Sequence, residues 1–432
     1  MIRCDSGADS YSLDERRFDA FLKFVHATAQ RTECRAIKNA RQIEMICHFY
    51  FIGIYKEGGY KAMEQMQKEG RMTDQDYMRR AISLAERARG WTSPNPLVGA
   101  VIVKDGRIIG EGYHKKYGEL HAERNAIASL TESAEGATIY VTLEPCCHYG
   151  KTPPCTEAII ENKIARVVIG SRDPNPKVAG KGAKQLREAG IVVEEDFLRD
   201  ECDRLNPIFF HYITTNTPYV ILKYAMTADG KIATKTGASK WITGEKAREM
   251  VQRMRHNYRG IMVGIGTVLA DDPMLNVRFE GGRSPVRIIC DSGLRIPEDC
   301  AIAKSAHEYE TIVACAGAEP EKRRRLESLG IQVLELPGAD GKVDLKALMG
   351  VLGEKKIDSI LLEGGGMLND SMLRLGLVHE VKAFVAPKLF GGAGAKTPVE
   401  GIGVELPDQA VKLSIKQVTA VGEDLLIEYV TV

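Results

Sequence analysis

Several features that would set this chain apart from ordinary globular proteins are missing from its 432 residues. No apolar run approaches the ~18 uninterrupted residues of a membrane-spanning helix. The closest run, residues 46–55, is short and contains His48. Residues 1–30 carry several acidic side chains and lack the apolar core of a secretory signal. We therefore expect a cytoplasmic protein that has no membrane partner.

An excess of charge of either sign is also missing. The formal net charge is +1, and aromatic residues make up 6% of the chain. A protein that binds a nucleic-acid strand needs a basic or aromatic face, so we expect no nucleic-acid partner. The hydrophobic content of 44% is enough for a sizeable core, and the length favours two or three domains at ~150 residues each.

The ten cysteines do not favour a disulfide framework, because the chain is long and has no secretion signal. Cys146, Cys147 and Cys155 crowd into one short segment, whereas the others are scattered. We interpret the scattered cysteines as small buried hydrophobic residues. The crowded ones are candidates for binding a metal.

Residues 1–71 lack the strand alternation of the later sequence, and we leave them as an unassigned extension. One hypothesis is that Met72 is the native start, because residues 68–71 (KEGR) can be encoded by a purine-rich ribosome-binding sequence. After Met72, Thr73 and the acidic residues behind it predict a helix start, and Gly90 is a candidate C-cap. The Asp-Gly dipeptide at 105–106 predicts a hairpin over residues 98–113.

Alternating strands and helices predict two α/β domains. The first covers residues 72–217, contains a mostly parallel sheet and ends with a helical stretch at 201–215. The second covers residues 218–432 and begins after Thr217-Pro218. Its strands are expected at 219–225, 260–263, 286–290, 311–315, 332–336 and 359–362. Three more strands, at 382–386, 412–418 and 425–430, have no helices between them, which suggests antiparallel edge strands.

The strongest chemical pattern is His121-Ala122-Glu123 followed by two cysteines, Cys146 and Cys155, that each come after proline. A hydrolytic zinc site has three protein ligands and an open position for water, and an imidazole with two thiolates balances the charge of the ion. Zinc lowers the pKa of that water towards ~7. The order H-x-E then P-C is the known signature of zinc deaminases, in which the glutamate is the general acid and base rather than a ligand. Glu123 takes that role here.

The spacing of the two cysteines departs from that signature, because they lie nine positions apart rather than three. Cys147 and His148 are therefore alternative ligands. We favour Cys155, because Pro153-Pro154 ahead of a helix would place its sulfur at a helix N-terminus, where a thiolate is stabilised.

The second half lacks the Gly-x-Gly-x-x-Gly fingerprint of dinucleotide binding after its first strand. Two other glycine-rich turns follow strands, at 264–267 (GIGT) and 364–366 (GGG), and the second opens onto a helix. Backbone amides at such a helix start suit a pyrophosphate, although both segments could equally be plain tight turns.

Five segments of the first half closely resemble the family of bifunctional riboflavin-biosynthesis deaminase/reductases. They are residues 92–99 (TSPNPLVG), 112–114 (GYH), 121–123 (HAE), 142–155 (TLEPCCHYGKTPPC) and 173–176 (DPNP). The resemblance implies a cytidine-deaminase-like α/β/α domain with one zinc ion per chain on His121, Cys146 and Cys155. It further implies that Asn95, His114 and Lys151 contact the substrate, although by itself Asn95 between two prolines is equally a turn residue.

The second half resembles the reductase domain of the same family, which is similar to dihydrofolate reductase in fold and uses NADPH. The matching segments are 225–231 (AMTADGK), 239–243 (SKWIT), 267–275 (TVLADDPML) and 362–366 (LEGGG). The implied cofactor contacts are Ala225, Trp241, Thr267, Asp271, Ser292, Gly365, Gly366, Met367, Leu368, Asn369, Asp370 and Ser371. The implied substrate contacts are Ser239, Arg255, Leu275, Arg278 and Glu363. A forked guanidinium binds a phosphate in two places, which suits Arg255 and Arg278.

The resemblance therefore predicts a two-step enzyme acting on a pyrimidine ribonucleotide. Water activated by zinc replaces a ring amine of a phosphoribosylated diaminopyrimidine with oxygen, and NADPH then reduces the ribosyl group to ribityl. Lys223 is the candidate proton donor of the second step. Two alternatives stay open: a nucleic-acid base deaminase, and a regulatory binding module with a structural zinc and an inactive reductase. The oligomeric state is also open, with a homo-oligomer as one outcome.

Overall fold

The structure is a computed structural model, which describes residues 72–150 and 153–432. The predicted extension, residues 1–71, and the predicted substrate residue Lys151 lie outside the described residues. Residues 72–432 form one compact unit built around two sheets. Within the described ranges, no helix combines the length and the apolar character that crossing a lipid bilayer requires.

The first sheet has five strands in the order β2-β1-β3-β4-β5. They are β1 (Gly99–Lys104), β2 (Arg107–Tyr113), β3 (Thr138–Leu143), β4 (Arg166–Ser171) and β5 (Val192–Glu194). The pairs β1–β2 and β1–β3 are antiparallel, whereas β3, β4 and β5 are parallel. The predicted hairpin at 98–113 is therefore confirmed, and the parallel part of the sheet is confined to three strands.

Helices cover both faces of this sheet. They are α1 (Asp74–Glu86), α2 (Ala122–Ala128), α3 (Cys155–Glu161), α4 (Lys181–Glu188), α5 (Arg199–Asp203) and α6 (Pro207–Thr215). Buried side chains of α2, α3, α4 and α6 pack on one face, and those of α1 and α5 pack on the other. The expected α/β/α layering follows from this burial of both faces.

The start of α1 is set by a reciprocal capping box, in which the Thr73 hydroxyl accepts the Asp76 N–H and the Asp76 carboxylate accepts the Thr73 N–H. The expectation that Gly90 caps this helix is wrong. The helix ends at Glu86 with Arg87 as its cap, and Gly90 takes its left-handed conformation (φ +88°) in the turn beyond. The predicted single helix at 201–215 is also divided, because Pro207 begins a new helix after Asn206.

The second sheet has nine strands in the order β10-β9-β8-β7-β11-β6-β12-β14-β13. They are β6 (Tyr219–Thr227), β7 (Gly260–Gly264), β8 (Val286–Cys290), β9 (Thr311–Cys315), β10 (Ile331–Glu335), β11 (Ser359–Leu362), β12 (Glu380–Ala386), β13 (Leu413–Val421) and β14 (Asp424–Thr431). The expectation for the tail is half right. β13 and β14 are antiparallel at the edge, but β12 runs parallel to β6 inside the sheet.

Six helices flank this sheet: α7 (Glu245–Asn257), α8 (Ile265–Asp271), α9 (Ala301–Lys304), α10 (Pro320–Ser328), α11 (Leu345–Glu354) and α12 (Gly366–Arg374). Helices α11 and α12 pack on one face, and α7 to α10 pack on the other. The seven strands from β10 to β12 are parallel, so their carboxyl ends lie at one edge. Chain order reverses where β11 inserts between β7 and β6, which is the position where open α/β sheets bind ligands.

Helix α11 also fixes the connection between the two sheets. A Cβ added at Gly353 would lie 1.8 Å from the Asn216 carbonyl oxygen, and the Tyr212 hydroxyl donates to the Gly353 carbonyl at 3.0 Å. Asn216 itself caps α6 in the left-handed region (φ 54°). The absence of a side chain at Gly353 therefore lets the linker lie directly on the helix.

This contact predicts opposite effects for two glycines of the same helix. Gly353→Ala should lower the free energy of unfolding by about 1–3 kcal/mol or more, because backbone must move to admit the methyl group. Gly350→Ala should raise it by about 0.4–1 kcal/mol, because nothing lies within 4 Å of its added Cβ and alanine restricts the unfolded chain. Urea unfolding of both variants measures the difference, and equal effects would contradict the packing described here.

Candidate metal centre and nucleotide site

Three potential metal ligands converge at the edge of the first sheet. His121 is the N-cap of α2, Cys146 follows β3, and Cys155 is the first residue of α3. Each cysteine sulfur lies 3.5 Å from the His121 Nδ1, and all three ligand atoms lie within 4.8 Å of one another. The three residues converge because α2 and α3 both begin at the edge of the sheet where β3 ends. In the sequence, β3 lies between the two helices.

This arrangement fits zinc. Around a tetrahedral ion with sulfur at ~2.3 Å and nitrogen at ~2.0–2.1 Å, an imidazole nitrogen and a sulfur are separated by about 3.5 Å. Cys155 and Cys146 are tied together by a hydrogen bond that lowers the pKa of Cys146 to about 4 and raises the pKa of Cys155. His121 contributes to the lowering at Cys146. One thiolate is thus already favoured, which is the form that binds a metal.

The structure does not bring the alternative ligands into this cluster. The Cys147 sulfur instead approaches the Lys177 carbonyl at 3.9 Å. Among the described residues, the group with metal-ligand geometry consists of His121, Cys146 and Cys155, without His148. The geometry therefore supports Cys155 as the third ligand.

Glu123 lies in the first turn of α2 and is 3% exposed. Its pKa is raised to about 7, chiefly by burial and also by the negative charge of Cys146, although His121 acts in the opposite direction. A carboxyl group with a pKa near the working pH can both accept and donate a proton, as a general acid and base must. Its burial beside the ligands is the environment that such a role requires.

Asn95 and His114 lie next to the ligands as well. The His114 ring meets the His121 ring edge-on with centroids 5.5 Å apart. Its Nδ1 donates to the Leu120 carbonyl at 3.0 Å, so in the neutral ring Nε2 accepts from the Asn95 amide at 3.2 Å. Burial lowers the pKa of His114, which favours that neutral form. Asn95 is also the turn residue that the sequence suggested, since its N–H bonds the Thr92 carbonyl.

A further buried carboxylate escaped the sequence analysis. Glu144 is 4% exposed, and its side chain accepts the backbone N–H groups of Gly180, Gly182 and Ala183 at 2.9, 3.0 and 3.2 Å. It thereby joins the start of α4 to the segment that carries Cys146. Only its place two residues before that ligand could have singled it out, because its partners are distant backbone groups.

In the second sheet, a buried charge cluster lies at the carboxyl end of β11. Arg255 of α7 holds Glu363 with two hydrogen bonds of 2.9 and 3.0 Å, and Lys223 of β6 lies 3.5 Å away. The three side chains are only 9–13% exposed. Burial raises the pKa of Glu363, but the two cations outweigh it and bring the pKa down to about 2.

This cluster changes the expectation for Arg255. Its fork was expected to grip a phosphate, but here that fork is engaged by Glu363, and the remaining Nη1 lies 3.3 Å from the Asn276 carbonyl. The physical reason is the buried carboxylate, which needs a charged partner. Arg278, by contrast, is exposed, with its backbone N–H on Gln252.

The two glycine-rich turns meet because β7 and β11 are neighbours. Gly264 caps α8 and Gly365 caps α12, and a Cβ at Gly365 would lie 3.5 Å from the Thr267 hydroxyl. Gly365 has a φ of 76°, which favours glycine. Two helices thus begin side by side at the ends of β7 and β11, and backbone N–H groups at helix starts suit a pyrophosphate.

The remaining predicted cofactor and substrate residues of this half divide by burial. Those in exposed or half-buried positions are Ala225, Ser239, Trp241, Asp271, Ser292, Met367, Asp370 and Ser371. Those that are buried are Gly366, Leu368, Asn369 and Leu275. The structure places Ala225, Thr267, Ser292 and Gly365 at or just beyond the carboxyl ends of β6, β7, β8 and β11, along one edge.

Some of these residues have structural contacts that narrow their role. The Asn369 amide donates to the Pro398 carbonyl at 2.7 Å, Asp370 pairs with Arg374, and the Ser292 hydroxyl accepts the Val343 N–H. Trp241 is 61% exposed under the Arg248 guanidinium at 4.8 Å from its ring. Lys388, which the sequence analysis missed, donates to the carbonyls of Trp241 and Ile242 and holds that segment.

The fold and the site together define a class, a zinc-type deaminase domain joined to a nucleotide-binding α/β domain. Two family matches agree with that class. Residues 71–171 match the cytidine and deoxycytidylate deaminase zinc-binding region, and residues 218–427 match the RibD C-terminal domain. These matches confirm the fold class expected for each half.

Whole-length relatives identify the family. The chain is 57% identical over 361 residues to the riboflavin biosynthesis protein RibD of Actinobacillus pleuropneumoniae, covering 84% of this chain and 96% of that protein. It is 40% identical to the Escherichia coli (strain K12) protein of the same name, covering 83% of this chain and 100% of that protein. The chain belongs to the RibD family of riboflavin biosynthesis proteins.

Solved structures agree with this assignment. Acinetobacter baumannii RibD, form 1, superposes with a TM-score of 0.75 at 39% identity, covering 83% of this chain and 99% of that one. A diaminohydroxyphosphoribosylaminopyrimidine deaminase/5-amino-6-(5-phosphoribosylamino)uracil reductase from Thermotoga maritima has a TM-score of 0.73 at 39% identity, covering 82% and 98%.

The depressed pKa of Glu363 leads to a pH-dependent prediction. A carboxylate whose folded pKa is about 2, against an ordinary 4.5, stabilises the fold above pH 4.5 and loses that contribution as the pH falls towards 2. Glu363→Gln should therefore lower the free energy of unfolding at pH 7 by on the order of 3 kcal/mol, since it leaves two buried cations without a partner.

Urea unfolding at pH 7, 5, 4 and 3 tests this expectation. The gap between wild type and variant should narrow between pH 5 and pH 3, whereas the exposed Glu249→Gln control should show no such trend. A gap that stays constant with pH would show that Glu363 is not held ionised by its neighbours.

Proposed function

We propose that this chain catalyses two consecutive steps of riboflavin biosynthesis on a small-molecule substrate. The first half removes an amine as ammonia from a phosphoribosylated diaminopyrimidine, and the second half reduces the ribosyl group of the product with NADPH. The observation that carries the proposal is the convergence of His121, Cys146 and Cys155 beside buried Glu123. Family membership and the relative from Thermotoga maritima support the substrate.

In the first site, we assign His121, Cys146 and Cys155 to zinc and Glu123 to proton transfer. Zinc at a three-ligand site acts as a Lewis acid that lowers the pKa of a water molecule. With zinc bound, Glu123 would take up a proton from water and deliver it to the departing amine, which its pKa near neutrality favours. The neutral His114 holds the Asn95 amide, and we assign both, with Lys151, to binding the pyrimidine ring.

In the second site, the crevice between β7, β11 and β6 receives the cofactor, and NADPH supplies a hydride when bound. The N-termini of α8 and α12 bind its phosphates through backbone N–H groups. Glu363, Arg255 and Lys223 form a buried cluster with one surplus positive charge, which suits an anionic substrate. Exposed Arg278 is the guanidinium available to its phosphate. Lys223 is the candidate proton donor, since its ammonium lies within this cluster.

The alternative functions are less well supported. A regulatory module with a structural zinc would require a closed four-ligand site, whereas the group with ligand geometry in the described chain has three members. A base deaminase that acts on nucleic acid would leave the crevice of the second sheet without a task. We propose that the protein works in the cytoplasm.

The deaminase mechanism predicts a selective loss on Glu123→Gln. Ammonia release should fall by about 10²–10⁴-fold, because the amide cannot shuttle a proton. The zinc content and the NADPH-dependent reductase rate should stay at the wild-type level, since glutamine keeps the shape of the side chain and lies outside the second sheet. Metal analysis and the two assays on the same preparation provide the measurement, and retained ammonia release would remove Glu123 from the mechanism.

We also propose that two copies associate through the β13–β14 hairpin. A bulge between Ile415 and Gln417 keeps Leu413, Ile415 and Val418 on one face of the hairpin. On the same face, Ile415 neighbours Tyr429 and Val418 neighbours Ile427 across the strands. Ile415 is 65% exposed and Val418 is 50% exposed. An uncovered apolar face beside an unpaired edge strand is a feature that a second copy, related by a twofold axis, can bury on both subunits at once.

This association predicts that Ile415→Lys shifts the protein to the mass of one chain in light scattering after size-exclusion chromatography, while the wild type has twice that mass. Val192→Lys is the matched control, because Val192 is an equally exposed apolar residue (63%) on β5, an edge strand of the other sheet. A wild type that runs as a single chain, or a control that dissociates like Ile415→Lys, would contradict the assigned surface.

A further inference from the structure

The two cysteine ligands come together in space although they are well separated in the sequence. Eight residues separate Cys146 from Cys155, yet both sulfurs lie 3.5 Å from the same nitrogen of His121. Backbone hydrogen bonds join the two ends of the loop between these cysteines. The N–H groups of Cys155 and Thr156 donate to the Cys146 carbonyl at 3.1 and 3.2 Å.

A side chain from α2 completes this closure. The Arg124 Nε donates to the Pro153 carbonyl at 3.0 Å, and its Nη2 donates to the Pro154 carbonyl at 2.7 Å. The two carbonyls belong to the residues directly before Cys155. Proline has no N–H, so this stretch cannot fix itself by donating hydrogen bonds and depends on a donor from elsewhere.

The position of Arg124 gives its contact a particular meaning. It follows Glu123 directly, on the helix that His121 caps. One short helix and its N-cap thus contribute the histidine ligand, the acid/base carboxylate and a guanidinium. The guanidinium holds the residues directly before the ligand Cys155. The planar guanidinium suits two adjacent carbonyl oxygens, whereas an ammonium offers no such fixed pair of donors.

We propose that Arg124 is a positioning residue for the zinc centre: by holding the Pro153 and Pro154 carbonyls it keeps the Cys155 sulfur in ligand position, so that metal affinity depends on it. This proposal rests on the zinc site of the proposed function. Partners that orient metal ligands from outside the coordination sphere typically change metal affinity by ~10–100-fold. The contact joins two segments that lie about 30 positions apart in sequence.

The charge of Arg124 provides a rival explanation, because a nearby cation also favours a thiolate. Arg124→Gln removes both the charge and the fork, whereas Arg124→Lys keeps the charge and removes the fork. Arg172→Gln is the matched control: it removes the same charge from the same half of the chain, where Arg172 pairs with Asp196.

The experiment measures the zinc dissociation constant of the full-length protein by competition with a chromogenic chelator. Arg124→Gln and Arg124→Lys should both raise it by ~10-fold or more, and Arg172→Gln should leave it unchanged. With cobalt(II) in place of zinc, the thiolate-to-metal absorption of both Arg124 variants should weaken as Cys155 leaves the metal. The NADPH-dependent reductase rate of the same chain reports that each variant is folded.

Wild-type affinity in Arg124→Gln, or full recovery of affinity in Arg124→Lys, overturns the positioning role while leaving the zinc enzyme intact. Absence of zinc binding by the wild-type protein overturns the proposed function and this inference with it. If Arg124→Gln does not fold, Arg124→Lys alone decides, since a wild-type dissociation constant there contradicts the need for the fork.

Discussion

The metal centre depends on one constraint: α2 and α3 must begin at the same edge of the first sheet, one on each side of the end of β3. His121 is the N-cap of α2, Cys155 is the first residue of α3, and Cys146 lies just beyond the strand. A glycine of β2 lets α2 lie close to the sheet. A Cβ at Gly112 would lie 2.2 Å from the Ala126 nitrogen, so the helix rests directly on β2. Ligand geometry therefore follows from backbone packing rather than from flexible side chains.

The second half solves a different electrostatic problem. It buries one carboxylate and two cations at a strand end, where the crevice must accept anionic molecules. Glu363 fixes Arg255 and Lys223 in place, and in return both keep it ionised. A lone buried cation would be costly, whereas the paired cluster keeps one positive charge without a large penalty. The deaminase centre needs the reverse, a carboxyl group whose ionisation is discouraged, and it reaches that by burying Glu123 beside the negative charge of Cys146.

Patterns local in sequence were predictable. The hairpin around Asp105-Gly106, the ligand positions at helix starts and the glycine turns after β7 and β11 all follow from dipeptides or short periodicities. Contacts between distant segments were not. The sequence predicts an antiparallel edge strand at 382–386, because no helix separates it from the strands that follow, yet β12 pairs in parallel with β6 over seven residues. Likewise, nothing near Arg255 in the sequence indicates that its fork is engaged by Glu363, more than 100 positions away.

Gly90 shows the same limit at smaller scale. Its left-handed conformation was anticipated, but the reason is not the end of α1. A Cβ there would lie 2.6 Å from the ring of His256, which belongs to the second half of the chain, and the neighbouring Trp91 ring meets that histidine edge-on. The glycine thus serves a contact between the halves, which no local pattern reveals.

That contact and the seat of Asn216 on Gly353 bear on any attempt to separate the two halves. A cut after Thr217 would divide the polypeptide between the two domains. Separating the fragments would remove Asn216 from its contact with Gly353 of α11, and Trp91 from its contact with His256. Each fragment would expose to water a surface that the other half contacts in the intact chain. Expressing the two halves as separate proteins would therefore require polar substitutions at the contact surface of each half. The two halves form one compact unit rather than two independent domains on a linker.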